Sequence, residues 1–196
     1  MARLPAVDLA KNPHIADVFA RVEKSRGWVS NLMRSIAHSP EALQHYSALG
    51  HYGRYGTELT EVQRELTIVV TVRGVEYGWV HHGNLARQIG VTDAQLDQIK
   101  QGKTPGDFGP AERALCDYLF AYTACKGVDQ KTLDAMLKHF SARQIVDVAL
   151  LSSYYMAAGA LIIGLDVQLE GPELLKTELE WQKKTMTAAK PAPSLG

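Results

Sequence analysis

The sequence predicts an all-α protein, and three observations carry that expectation. Three stretches, Thr60-x-x-Gln63, Thr92-x-x-Gln95 and Ser141-x-x-Gln144, match the capping box, in which a hydroxyl accepts from an orphan N–H and the glutamine reaches back to the cap. Each opens a run whose apolar residues recur at helical spacing. The one run that would pass as a buried strand, LTIVVTV (66–72), has no comparable partner elsewhere and stands directly behind a capping box.

In chain order, helical patterns run over 13–26, 28–38, 40–53, 60–73, 76–90, 92–101, 110–126, 129–139, 141–165 and 172–187. Pro110 fits a first helical turn, where its missing N–H is not needed. Asp129 offers an N-cap to the segment ending near His139. Gly90, Gly102, Gly127 and Gly164 fall near helix ends, where a left-handed residue is wanted. LGHYGRYGTEL (49–59) reads as a loop, because no strand precedes it to make a phosphate cradle. Its His51, Tyr52, Arg54 and Tyr55 would line a pocket entrance or pack as a solvated loop. Residues 1–12 read as an extended arm, and TMTAAKPAPSLG (185–196) as a disordered tail.

Composition bounds the function. The 196 residues are 46% hydrophobic and 21% charged, as in an ordinary globular protein. Lys+Arg and Asp+Glu both number 21, so no basic excess points to nucleic acid, and self-association is unopposed by net charge. The two cysteines, Cys116 and Cys125, share one predicted helix about 13 Å apart and cannot pair within it. They read as reduced thiols of a cytoplasmic protein. MARLPAVDLAKNPHIADVF has no apolar core of a secretory signal. IVDVALLSSYYMAAGALIIGL (145–165) is long enough to span a bilayer, but Asp147 and the polar SSYY centre favour a core helix over a membrane span. There is no Cys-x-x-Cys, no zinc spacing, no Gly-x-Gly-x-x-Gly and no P-loop lysine, so neither a metal nor a nucleotide cofactor is expected.

The chemistry concentrates in VEYGWVHHGNLARQIG (75–90). Residues 79, 82, 86 and 89 share one helical face, which sets His82 between Trp79 and Ala86 on the apolar side. His81 points about 100° away at 3.6 residues per turn. Burial disfavours a charged imidazole, so His82 is either a core histidine bonded to a carbonyl or a proton-transfer group awaiting an orienting partner. Glu65 lies on the stripe Glu65, Ile68, Val69, Val72 of an otherwise apolar helix. It is either a surface residue paired with Arg64 or Arg73, or a buried and functional carboxylate. If 60–73 and 76–90 form an antiparallel hairpin, Glu65 and His82 reach similar depth and can act as an acid–base pair.

RELTIVVTVRGVEYGWVHHGNLARQIGVTDAQLDQIKQG resembles the carboxymuconolactone decarboxylase family, which includes the alkylhydroperoxidase D-like proteins. The carriers are Arg64-Glu65, Tyr77-x-Trp79-x-x-His82, Ala86 and Gly90, with NLMRSIAHSPEAL upstream and FSARQIVDVALLSSYYMAAGALIIGLDVQLE downstream. The resemblance covers about 28–170, dividing the chain into a 1–27 arm and first helix, that helical domain, and a 171–196 helix with its tail. It implies an all-α bundle built around a helix hairpin, assembled as a homo-oligomer, commonly a trimer or hexamer. The peroxidase branch carries Cys-x-x-Cys-x-x-x-His; counted back from His82, those thiols fall on Gly78 and Val75, so thiol peroxidase activity is not expected. The decarboxylase branch often shows Tyr-Glu-Trp, and Gly78 replaces its glutamate here.

The namesake reaction needs no cofactor, because loss of CO2 from a carboxylated unsaturated lactone leaves charge spread through a conjugated dienolate. The resemblance thus implies a lyase, or a related proton-transfer enzyme, acting on a small carboxylate or lactone. His82 would move the proton and Glu65 would orient it. Tyr77, Trp79 and His81 would contact substrate, and Arg54, Arg64 or Arg73 would bind its carboxylate. The alternative is a non-catalytic helical oligomer that binds a small ligand or a protein partner.

Overall fold

The structure is a computed structural model and describes residues 3–5 and 7–187. Among the described residues there are ten helices and no strand: α1 (Pro13–Arg26), α2 (Asn31–Ile36), α3 (Pro40–Tyr55), α4 (Glu61–Thr71), α5 (Glu76–Gln88), α6 (Asp93–Lys100), α7 (Pro110–Thr123), α8 (Gln130–Leu137), α9 (Ala142–Leu165) and α10 (Pro172–Thr187). All ten expected helices are present. The expected tail lies, from residue 188 on, outside the described residues.

The chain forms two units. One comprises Met1–His51 with Leu161–Gly196, and the other Tyr52–Ala160. In the first, α1 ends at left-handed Gly27 (φ 83°), where a Cβ would lie 3.2 Å from the Trp181 ring of α10. The expected helix 28–38 narrows to Asn31–Ile36, because Ser30 caps it by accepting from the Met33 N–H. The Asn31 N–H donates to the buried carboxylate of Glu170 at 2.7 Å. The described part of the arm turns at Leu9–Lys11, where Lys11 N–H bonds the Asp8 carbonyl.

The second unit holds the larger core. Leu66, Ile68, Val69, Val70 and Val72 pack with Leu96 and Ile99 of α6, Leu115 and Leu119 of α7, Met136 of α8, and Val148 and Leu151 of α9. The β-branched run is therefore helical. Its capping box forms as written, with both Thr60–Gln63 bonds made. Its threonines satisfy their hydroxyls inside the helix, Thr67 on the Gln63 carbonyl and Thr71 on that of Thr67, both at 2.7 Å. Burial all round repays the modest propensity cost of β-branching. The helix stops at Thr71. Val75 N–H bonds the Val72 carbonyl at 2.8 Å to close the turn into α5.

Gly78 faces that turn. A Cβ there would lie 2.8 Å from Val72 Cβ, so the hairpin closes only around a glycine. Gly78→Ala is expected to lower stability by about 1–3 kcal/mol through overpacking. Thermal unfolding beside the wild type checks this; an unchanged midpoint would show that Val72 yields freely.

Two glycine assignments are corrected. The Gly-rich stretch 49–59 is not a loop over its first part, because α3 continues through it to Tyr55. Gly53 lies inside that helix where a Cβ would come 2.9 Å from Leu151 Cδ1, so it serves close helix approach rather than a turn. Gly164 does not end α9. It stays helical, and Asp166 takes the left-handed position (φ 52°) instead, while Gly90, Gly102 and Gly127 adopt it as expected.

Helix α9 buries Val148, Leu151 and Ser152 but exposes Val146 (63%) and Leu150 on another face. Among the described residues it is the one helix long and apolar enough to cross a membrane. Its Asp147 is buried. The carboxylate accepts from Tyr52 Oη at 2.7 Å and from the Glu58 N–H at 3.1 Å, which ties the 56–60 connection to the first turns of α9.

Candidate active site

Helices α4 and α5 place Glu65 and His82 side by side. Glu65 is 2% exposed and His82 6%, and His82 Nδ1 lies 2.9 Å from Glu65 Oε2. Of the two sequence readings of each residue, burial removes the surface glutamate. The carboxylate removes the backbone carbonyl as the partner of His82 Nδ1. The short turn 72–75 sets this register: Glu65 sits two turns before it and His82 two turns after it.

Burial pushes the Glu65 carboxyl up. The charge and hydrogen bond of His82, followed by the charges of Arg64 and Arg54, outweigh it and hold the group below its ordinary value. An ionised carboxylate only accepts, so His82 Nδ1–H donates to it. In the neutral imidazole Nε2 then carries the lone pair and is the atom able to exchange a proton.

The arginines separate. Arg64 Nε is 3.8 Å from Glu65 Oε1, while its Nη2 pairs with Glu61 at 3.0 Å and its Nη1 donates to the Arg54 carbonyl at 3.3 Å. Arg73 points elsewhere. It donates to the Val70 carbonyl at 2.8 Å and to Thr123 Oγ1 at 3.1 Å, and its Cζ lies 5.1 Å from the Phe120 ring centre. Desolvation there lowers its pKa.

The aromatics divide as well. Trp79 is only half-buried and lies under Lys100 of α6, Nζ 4.9 Å from the ring centre. Tyr77 and His81 are both buried, with ring centres 4.7 Å apart. The buried side of α5 is therefore broader than the Trp79–His82–Ala86–Ile89 stripe. The residue missing from the sequence reading is Tyr155 of α9. Its ring meets His82 edge-on at 4.8 Å and 85°. The Ser-Ser-Tyr-Tyr centre of that helix was its only signal, since spacing within α9 does not say which tyrosine faces α5.

Neither cysteine lies in this group. Cys116 is fully buried, and burial pushes its thiol up to about 12, whereas Cys125 is exposed. At the two positions where the peroxidase motif has thiols, Val75 packs near Gly159 and Gly78 against Val72. Among the described residues no three His, Cys, Asp or Glu side chains gather as a metal site.

No family model and no curated protein matches the sequence. Solved structures do match in fold. An uncharacterized peroxidase-related protein from Ralstonia eutropha JMP134, described as an alkylhydroperoxidase AhpD core, is 22% identical with a TM-score of 0.73, covering 91% of this chain and 96% of its own. An uncharacterized peroxidase-related protein from Silicibacter sp. TM1040 is 18% identical with a TM-score of 0.72, over 86% and 90%. The debrominase Bmp8, in complex with 2,3,4-tribromopyrrole, is 17% identical with a TM-score of 0.69, over 89% and 95%. The chain therefore has the all-α fold of the alkylhydroperoxidase AhpD-like proteins, in agreement with the resemblance carried by its own motifs.

Proposed function

We propose that the chain is a cofactor-independent proton-transfer enzyme, decarboxylase-like, acting on a small organic acid or lactone with Glu65 and His82 as its acid–base pair. One observation carries this: a carboxylate held ionised inside the protein, 2.9 Å from an imidazole nitrogen. Such a pair fixes the tautomer and stabilises the imidazolium that forms while the ring holds a proton. In decarboxylation the carbon–CO2 bond breaks and its electron pair enters the conjugated system. His82 Nε2–H then delivers the proton to carbon, and the Glu65 charge eases the recharging of the ring. Tyr77, His81 and Tyr155 supply an aromatic wall that limits water. Arg54 and Arg64, whose charges reach Glu65, are the preferred carboxylate anchors over Arg73, which lies against Thr123 and Phe120 instead of the pair.

Thiol peroxidase chemistry is disfavoured, since the motif positions hold Val75 and Gly78 and the thiol of Cys116 is buried. The exposed apolar residues of α9, Val146 and Leu150 among them, favour self-association, for which the resemblance implies a trimer or hexamer. Sedimentation of the full chain is expected to give a mass above that of the monomer; a monomer at all concentrations would remove the oligomer.

A second reading, a non-catalytic helical oligomer binding a ligand or a protein partner, is favoured by the packing of Gly78 on Val72, which leaves no room there for a reactive side chain. Incubation with 4-carboxymuconolactone, following CO2 release and loss of ultraviolet absorbance, separates the two. Turnover that His82→Ala abolishes is expected of the enzyme. Absence of turnover with this lactone and with related carboxylates would favour the binding protein.

A further inference from the structure

A recess of about 420 Å³ lies in the second unit between the last turns of α7, the 124–128 turn and α9. It shares no lining residue with the Glu65–His82 pair. Its volume falls in the range of small-molecule sites, roughly 300–1,000 Å³. The sequence builds it in two ways. Tyr118 and Tyr122, one helical turn apart, stack on each other with ring centres 5.7 Å apart and planes 19° apart, and both border the recess. Two left-handed residues, Cys125 (φ 54°) and Gly127 (φ 94°), then turn the chain sharply so that Gly127 and Val128 border the same space.

The lining chemistry is selective. None of the lining residues is Lys, Arg, Asp or Glu, so an ion would enter without a counter-charge. Val128 and Met156 add apolar surface. The polar feature is a hydroxyl pair, Tyr122 Oη and Ser153 Oγ at 2.8 Å. Two hydroxyls carry two hydrogens, and their mutual bond uses one. The other remains available to donate to a ligand, whichever hydroxyl holds it.

We propose that this recess is a binding site for a small, neutral, planar aromatic molecule carrying a hydrogen-bond acceptor. The ring packs against the stacked Tyr118–Tyr122 pair and the acceptor meets the Tyr122–Ser153 hydroxyls. This goes beyond the proton-transfer function and does not rest on it.

Cys125 lines the recess and is exposed, whereas Cys116 is buried with its thiol pushed up to about 12, so iodoacetamide alkylation of the full chain reports on occupancy at one residue. Acetophenone, an uncharged aromatic ketone, is the probe. A ligand of this size has a Kd on the order of 1 mM, so about 10 mM should slow Cys125 alkylation about tenfold, read by mass spectrometry. Benzoate, the anion of similar size, should protect little. Tyr118→Leu should abolish protection and Tyr122→Phe should weaken it, each with an unchanged circular dichroism spectrum and unchanged alkylation without ligand. Tyr122→Phe keeps the ring and serves where Tyr118→Leu fails to fold. An alkylation rate indifferent to acetophenone would overturn the site. So would equal protection by benzoate, or full protection in Tyr122→Phe. His82→Gln, which keeps a donor to Glu65, should retain the protection, which keeps this outcome separate from that of the proton-transfer function.

Discussion

Replacing His82 with alanine is expected to lower turnover by about 10²–10⁴-fold on any substrate that the wild-type chain converts, the loss that follows removal of a general acid–base group. It also strips the buried Glu65 carboxylate of its nearest partner. What then remains to the carboxylate is Arg64 at 3.8 Å and the charge of Arg54. Breaking a buried pair by removing one member costs about 3–5 kcal/mol. The alanine variant should therefore melt early as well as lose activity, and activity alone cannot separate catalysis from packing. His82→Gln makes the separation. Its amide can still donate to Glu65, so much of the stability should return, but an amide cannot exchange a proton at neutral pH, so turnover should not. Thermal melts beside steady-state rates check both halves. A stable glutamine variant with wild-type turnover would remove His82 from the chemistry.

Glu65→Gln carries the second large effect, and pH reveals it. The folded state holds the Glu65 carboxyl below its ordinary value of 4.5. A group depressed on folding contributes stability that is fully present above its unfolded pKa and is lost as pH falls through the folded one. Wild-type stability should accordingly fall as pH drops below 4.5, and the glutamine variant should lack that component of the fall. Denaturant unfolding across this window compares the two slopes. Other carboxylates titrate equally in both chains, so the difference isolates Glu65. Parallel slopes would mean that the carboxyl is not held ionised by His82. At neutral pH the same variant should lose turnover by about 10²–10⁴-fold, because an amide can bond to His82 in either orientation and no longer selects the Nδ1–H tautomer. Turnover equal to wild type would leave Glu65 a structural residue only.

Much of the candidate site was legible before any coordinates. A glutamate on an apolar helical stripe and a histidine on the next helix, set seven to ten positions either side of one short turn, leave few ways to arrange a hairpin that does not bring them together. Packing assigned the rest. Arg64 and Arg73 are equally plausible carboxylate anchors in the sequence, yet one lies against Glu65 and the other against Thr123 and Phe120. Trp79 shares a helical face with His82, but the approach of Lys100 draws it toward α6.

The sequence by itself determined the helices and most of their ends, because those signals act over four residues or fewer. Capping boxes at Thr60, Thr92 and Ser141, the N-cap at Asp129 and left-handed glycines at Gly90, Gly102 and Gly127 are all satisfied within one turn of chain. It also places Val75 and Gly78 at the two positions where the peroxidase motif has thiols. Only the tertiary structure decided what lies across a helix contact. It showed that Gly53 and Gly78 mark close approach to Leu151 and Val72, that Tyr155 is the ring beside His82, and that Tyr118, Tyr122 and Ser153 surround a common recess. Periodicity names the face on which a side chain stands. The partner on the other side depends on how two helices cross, and that angle is set by every side chain between them.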